Sequence, residues 1–336
     1  MISSVSGLLT RCIAPVLTVV ALALAVSPMS PEPSAIRLVS DGNPLAGMPF
    51  YVDPASKAMA AARANPDSAE LNRVANTPQA FWLDQAWGPG AVTGVVSRYT
   101  GAAQAAGAMP VFAVYGIPHR DCGSYAAGGF ASGADYRAWI DGISAGLGGA
   151  PATFIVEPDA IAMAGCLSAD QRQERFDLIR YAAQTLSQNP GAVVYIDAGH
   201  PRWLSAGDVA AGLNASGIEH ARGFSLNTTN YYTTDESIGY GEAVSGLTGG
   251  SHYVIDTSRN GSGPVDDSPM NWCNPPGRAL GVAPTTDTAG EHADAYLWIK
   301  RVGESDGSCG RGEPGAGVFV NQYAIDLARN AGQQSS

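Results

Sequence analysis

Short apolar runs recur along this chain, each followed by a cluster of polar groups and then by a stretch with helical spacing. Met109 to Tyr115 (MPVFAVY) is β-branched and aromatic with almost no polar atom, the pattern of a parallel strand buried on both faces. Pro118 cannot extend a ladder, so that strand ends near it. Comparable runs predict strands at Met48 to Val52, Ala80 to Asp84, Thr153 to Val156, Ala192 to Ile196, Gly223 to Leu226, His252 to Ile255, Ala295 to Ile299 and Val318 to Val320. Helical spacing predicts helices at Ser56 to Ala64, Val92 to Ala106, Asp135 to Leu147, Ala169 to Ser187, Ser205 to Leu213, Ser237 to Leu247 and Asn321 to Ala331. Strand and helix thus alternate about seven times, and polar residues gather after the strands. This is the signature of an α/β fold, a distorted, TIM-like parallel β/α barrel of about seven strands with its site at their carboxyl ends. A doubly wound open sheet is the competing arrangement. No repeat or linker divides the chain, so residues 35–336 read as a single domain.

The first 34 residues stand apart. Arg11 precedes the apolar run Ile13 to Val26, and a Pro/Ser-rich tail follows, which is the layout of a secretory signal peptide or of an N-terminal anchor. The expected location is extracellular, with residues 1–34 as a possible tie to the cell envelope and no stable membrane partner once the signal is cleaved. The 336-residue chain carries a formal charge of −11 with 45% hydrophobic residues. That charge would repel a phosphate backbone, so nucleic acid is excluded as a partner, and a monomer is expected. Setting Cys12 aside leaves Cys122, Cys166, Cys273 and Cys309, an even count that implies two disulfides in an exported protein. Three pairings are open, of which the sequential one would clamp loops beside the acids described next.

Asp121, Asp159 and Asp197 each follow a strand, and Glu304 and Asp306 lie in a Gly-flanked loop after Lys300. One acid at a strand end commonly caps a helix, but four such clusters on one face have another use. Carboxylates in one cleft raise each other's pKa, which keeps one protonated at neutral pH. Hydrolysis of a glycosidic bond needs that arrangement: one acid protonates the departing oxygen while another assists water. Trp82, Trp87, Trp203, Trp272 and Trp298 lie in or beside post-strand loops, where flat rings suit sugar faces, whereas Trp139 is expected in the core. Gly142 to Gly146 matches G-x-S-x-G but falls inside a helix, not at a strand-to-helix turn. The five histidines show no close pair, and no phosphate or dinucleotide fingerprint stands at a junction, so neither a metal nor another cofactor is expected.

Val114-Tyr115-x-x-Pro118-x-Arg120-Asp121-Cys122 with its Gly-rich tail to Gly129, and Phe154-Ile155-Val156-Glu157-Pro158-Asp159, resemble the two signature motifs of glycoside hydrolase family 6, the inverting cellulases. The likeness extends from Phe50 to about Ala331 through Asp197-Ala198-Gly199-His200, the Trp272 to Arg278 segment and Trp298-Ile299-Lys300. By position, the resemblance implies Asp159 as general acid. Asp121 would raise the pKa of Asp159 and help handle the water's proton, and Asp306 would be the proposed base, directly or through a water chain. Tyr115 would crowd the sugar at the cleavage point, and Trp82, Asp197, His200, Trp203, Asn230, Trp272, Lys300 and Glu304 would line subsites. The family's two disulfides match Cys122–Cys166 and Cys273–Cys309. Arg301-Val302 departs from the family, which usually has proline there, and neither a carbohydrate-binding module nor its linker is expected. The expectation is a secreted endo-β-1,4-glucanase acting on β-1,4-glucan or cello-oligosaccharides. The alternatives are a non-catalytic glucan-binding protein, a hydrolase of another β-glucan, and an exo-acting cellobiohydrolase.

Overall fold

The computed structural model describes residues 42–333, so the expected signal or anchor at 1–34 and Cys12 lie outside the described residues. Seven strands form one parallel sheet in chain order: β1 (Phe81–Leu83), β2 (Val111–Val114), β3 (Ala152–Val156), β4 (Ala192–Asp197), β5 (Gly223–Leu226), β6 (His252–Asp256) and β7 (Ala293–Leu297). A doubly wound sheet would reverse its order at a switch point; this one does not, and it curls into a half-barrel. β1 and β7 are not paired as strands. Across their seam the Ala80 N–H donates to the Trp298 carbonyl at 3.0 Å, and the Trp82 indole N–H donates to the Ile299 carbonyl at 2.8 Å.

The period-two alternation of each strand fills both faces. Val111, Ala113, Ile155, Val193, Tyr195, Val254, Ala295 and Leu297 pack together inside the curl. Phe112, Val114, Phe154, Val156, Val194, Ile196, Phe224, Leu226 and Ile255 point the other way, into the helices. That is why the strands read as unbroken apolar runs.

The helices are α1 (Lys57–Ala64), α2 (Ala69–Ala75), α3 (Pro89–Ala105), α4 (Gly133–Leu147), α5 (Ala169–Ser187), α6 (Ala206–Ala215), α7 (Thr234–Leu247) and α8 (Asn321–Gln333). Ser56, Ser68, Ser132, Ser168, Ser205 and Thr233 each cap a helix by accepting from a first-turn N–H. Such caps contribute about 1 kcal/mol each. Trp139 on α4 is fully buried, and the Gly142 to Gly146 match lies within that helix. Two predicted strands are corrected. Met48 to Val52 pairs at one residue, Phe50 with Met109, and Val318 to Val320 pairs at one, Phe319 with Glu304. α2 was not anticipated. Among the described residues no helix is long and apolar enough to cross a membrane.

Candidate active site

At the carboxyl end of the sheet lies a cavity of about 1000 Å³. Its wall carries Tyr115 and Asp121 from beyond β2, Asp159 from beyond β3, and Lys300, Glu304 and Asp306 from beyond β7. Trp82 of β1 and His200, Trp203, Asn230 and Trp272 from the intervening loops complete it. Eleven of the twelve catalytic and sugar-binding positions named from sequence therefore share one cavity.

The exception is Asp197, which is 1% exposed and is not among the lining residues. One of its oxygens accepts from the N–H groups of Asp159 (2.9 Å) and Gly199 (3.0 Å). The other accepts from the hydroxyls of Ser225 (2.8 Å) and Thr228 (2.6 Å). It sits behind Asp159, with both oxygens committed, so it is no sugar ligand in this arrangement. Burial lifts Asp197 to about 6 against those four donors. Asp159 has no such donors: its Oδ1 is buried without a hydrogen-bond partner. Burial, then the charges of Asp197 and Asp121, hold Asp159 well above the usual carboxylate range, with Lys300 opposing. Of this pair Asp197 ionises first and Asp159 keeps its proton.

Beyond β2 the chain doubles back through a one-turn 3-10 segment, Asp121–Gly123, tied to the loop before α5 by the Cys122–Cys166 disulfide. Arg120 shapes this bend. Its guanidinium donates to the carbonyls of Tyr115 (2.6 Å) and Ala126 (2.9 Å) and to the Gln85 side chain (2.7 Å), and lies 4.3 Å from the Tyr115 ring centroid. The Gly-rich tail closes under it: at Gly129, with φ +89°, a Cβ would fall 1.9 Å from the Ile117 carbonyl oxygen. Asp121 accepts from the Ala126 N–H at 2.7 Å and is raised by partial burial, which that bond and Arg120 oppose.

The β7 side is electrostatically the reverse. Asp306 pairs with Arg259 at 2.8 Å and Lys300 at 3.0 Å, and accepts from the Asn274 N–H at 3.1 Å. Burial alone would raise it, but Arg259 and Lys300 outweigh burial and hold it below the usual carboxylate range. Cys273–Cys309 fastens the segment carrying Asn274 to this loop. Glu304, 5% exposed, pairs with Lys57 and with Arg301, each at 2.9 Å, so the departure from proline at 301 supplies a cation to the wall.

Flat surfaces line the rest. The His200 ring stacks on Tyr232 at 4.3 Å and lies 5.1 Å from the ring of Trp203, a residue 37% exposed. Burial, then Arg202, pushes His200 down to about 4, so it is neutral at neutral pH. Trp82 meets Tyr115 edge-on at 5.1 Å, and Trp272 lies 6.0 Å from Tyr125.

Sequence reasoning passed over Glu157, Arg175, Arg259 and Asn274, the polar groups that hold the acids in place. Two carried a signal: Glu157, as a second acid in Glu157-Pro158-Asp159, and Asn274, inside the Trp272 to Arg278 likeness. Two histidines far apart in the sequence meet in the fold: the His252 and His292 rings lie 5.6 Å apart beside Glu242, at the amino ends of β6 and β7 and away from the cavity.

Known proteins resemble this chain in sequence and in fold. The sequence profile described as Glycosyl hydrolases family 6 matches residues 42–331. Endoglucanase A of Cellulomonas fimi is 45% identical over 284 residues, covering 84% of this chain and 61% of that protein. The chain therefore spans less than two thirds of that relative. Endoglucanase 1 of Streptomyces halstedii is 41% identical over 290 residues, 83% of this chain and 88% of that one. The solved endoglucanase Cel6 from Mycobacterium tuberculosis, in complex with methyl-cellobiosyl-4-deoxy-4-thio-β-D-cellobioside, is 74% identical with a TM-score of 0.86, covering 87% of this chain and 100% of that one.

Proposed function

The chain belongs to glycosyl hydrolase family 6, and from that premise we propose that it cuts internal β-1,4-glucosidic bonds of cellulose-type glucans with inversion at the anomeric carbon. Asp159 is the general acid in this reading. The observation that carries it is a carboxyl on the cavity wall with one oxygen lacking any partner and three neighbouring carboxylates raising its pKa. Its proton goes to the departing glycosidic oxygen as water attacks the anomeric carbon from the opposite face.

The water's proton needs an acceptor. Asp306, held ionised by two cations, is a weak base; Asp121, raised by burial and open to the cavity, is the better one. Tyr115, wedged between Trp82 and Arg120, presses on the sugar at the cleavage point. Trp82, Trp203, Trp272 and His200 offer faces for pyranose rings, while Asn230, Lys300 and Glu304 offer polar groups for hydroxyls. The endoglucanase names of the relatives support internal cutting. Two disulfides suit an oxidising compartment, which supports export.

Reducing-sugar release from carboxymethylcellulose by the wild type and by Asp159→Asn tests the reading. The expected loss is about 10²- to 10⁴-fold, the usual worth of a general acid. The first product observed by proton NMR should be the α-anomer. Binding without wild-type turnover would favour a non-catalytic glucan-binding protein, and activity confined to other β-glucans would move the substrate.

A further inference from the structure

Glu157 and Arg175 lie beneath the cavity and line none of it. Glu157 is 1% exposed and Arg175, from α5, is 2% exposed. The Glu157 carboxylate accepts from the Gly116 N–H at 3.0 Å and the Ile117 N–H at 3.1 Å. Arg175 donates to the next two carbonyls, Pro118 at 3.2 Å and His119 at 2.7 Å, and with its other terminal nitrogen to Ala160 at 3.1 Å. Residues 116–119, which run from Tyr115 toward Asp121, are thus gripped by N–H from one side and by carbonyl from the other. Both grips end within two residues of Asp159, at Glu157 and at Ala160.

We propose that Glu157 and Arg175 form a buried bracket that sets the position of the Tyr115–Asp121 segment against Asp159, making both positioning residues for hydrolysis; this rests on the reading of Asp159 as the proton donor. Backbone strain argues for such a fixture. His119, Asp121, Glu157 and Asp159 all have φ between 53° and 69°. Each such conformation costs of order 1–3 kcal/mol and persists where surrounding contacts over-determine it.

The chemistry of the bracket is specific to a carboxylate. The groups aimed at Glu157 are donors or cations: two backbone N–H groups, Arg120 from the loop after β2, Arg175 from α5, and the Tyr136 hydroxyl of α4, which faces it outside ordinary hydrogen-bond geometry. The Tyr115 phenol also feels its charge. Burial lifts Glu157 to about 7 against these donors. A glutamine there would turn an NH₂ group toward at least one N–H, and the grip would open.

The test uses the whole protein and the variants Glu157→Gln, Arg175→Lys, Asp121→Asn and Glu157→Gln with Asp121→Asn. Three readouts are followed: kcat and KM on a soluble cello-oligosaccharide, the alkaline limb of the kcat/KM profile, and the ¹³C-carboxyl NMR titration of Asp159. With the bracket open, kcat should fall roughly 10- to 100-fold, the cost of a small misplacement, while KM stays within about twofold. Asp121 moves away from Asp159, so the Asp159 titration and the alkaline limb should both shift to lower pH.

Asp121→Asn should give the same shift, and adding Glu157→Gln to it should give no more. If Glu157 acted through its own field, the two shifts would add, which would overturn the proposal. A wild-type Asp159 titration in both Glu157→Gln and Arg175→Lys would also overturn it. Arg175→Lys keeps the charge and cannot reach three carbonyls, so it carries the test if Glu157→Gln does not fold. Should the wild type release no sugar, the reading of Asp159 fails, and the NMR titration still decides the bracket.

Discussion

Two carboxyls face one cavity from separate strands of the sheet, Asp159 beyond β3 and Asp306 beyond the edge strand β7, and their surroundings pull them opposite ways. Asp159 is given carboxylates for neighbours and one oxygen without a donor; Asp306 is given Arg259, Lys300 and the Asn274 N–H. Burial raises both at first, so burial cannot be what separates them. The charged neighbours decide, and they divide the work: one wall stores a proton, while the other fixes a negative charge.

Stability measurements can break that comparison. Removing the Asp306 charge with Asp306→Asn would leave Arg259 and Lys300 buried and facing each other. The expected cost is about 3–5 kcal/mol in urea unfolding near neutral pH. Because Asp306 is held below its usual range, its contribution is present above the ordinary carboxylate pKa and is lost as pH falls through its folded value. The gap between wild type and Asp306→Asn should therefore narrow in acid. A variant as stable as wild type would mean that the Asp306 charge does not offset the burial of the two cations.

Asp159→Asn should do the opposite, and more gently. Asp159 is held above its usual range, so its own contribution is fully present below the ordinary carboxylate pKa and is lost as pH rises through the folded value. Replacing it should stabilise the fold by about 0.5–2 kcal/mol at pH 8, the common size of an active-site trade-off. Thermal unfolding followed from pH 4 to pH 8 should show the two curves meeting in acid. Curves that stay parallel would place Asp159 in an ordinary carboxylate environment.

The sheet was legible because parallel strands buried on both faces leave continuous apolar runs, as in Val111 to Val114 and Phe154 to Val156. The pattern overreached at Met48 to Val52 and Val318 to Val320, where the runs are apolar enough but only one residue of each finds a partner. α2 was missed since its seven residues are too few for a period to show, set between prolines at 66 and 78. In the site, acids at strand ends were visible one by one. A sequence cannot tell a carboxylate on the cavity wall from one beneath it, which is the difference between Asp159 and Asp197. Arg259 and Asn274 come from the irregular segment after β6, and Arg175 from one turn of a long helix, so nothing in their spacing marks them as partners of distant acids.

The assignment of Asp159 as proton donor is tested most directly by changing how much proton the leaving group needs. Asp159→Asn should lose about 10²- to 10⁴-fold on cellotetraose, whose departing hydroxyl must be protonated, yet stay within roughly tenfold of wild type on 2,4-dinitrophenyl β-cellobioside, whose phenolate leaves without a proton. Equal losses on the two substrates, or undiminished cleavage of cellotetraose, would contradict it.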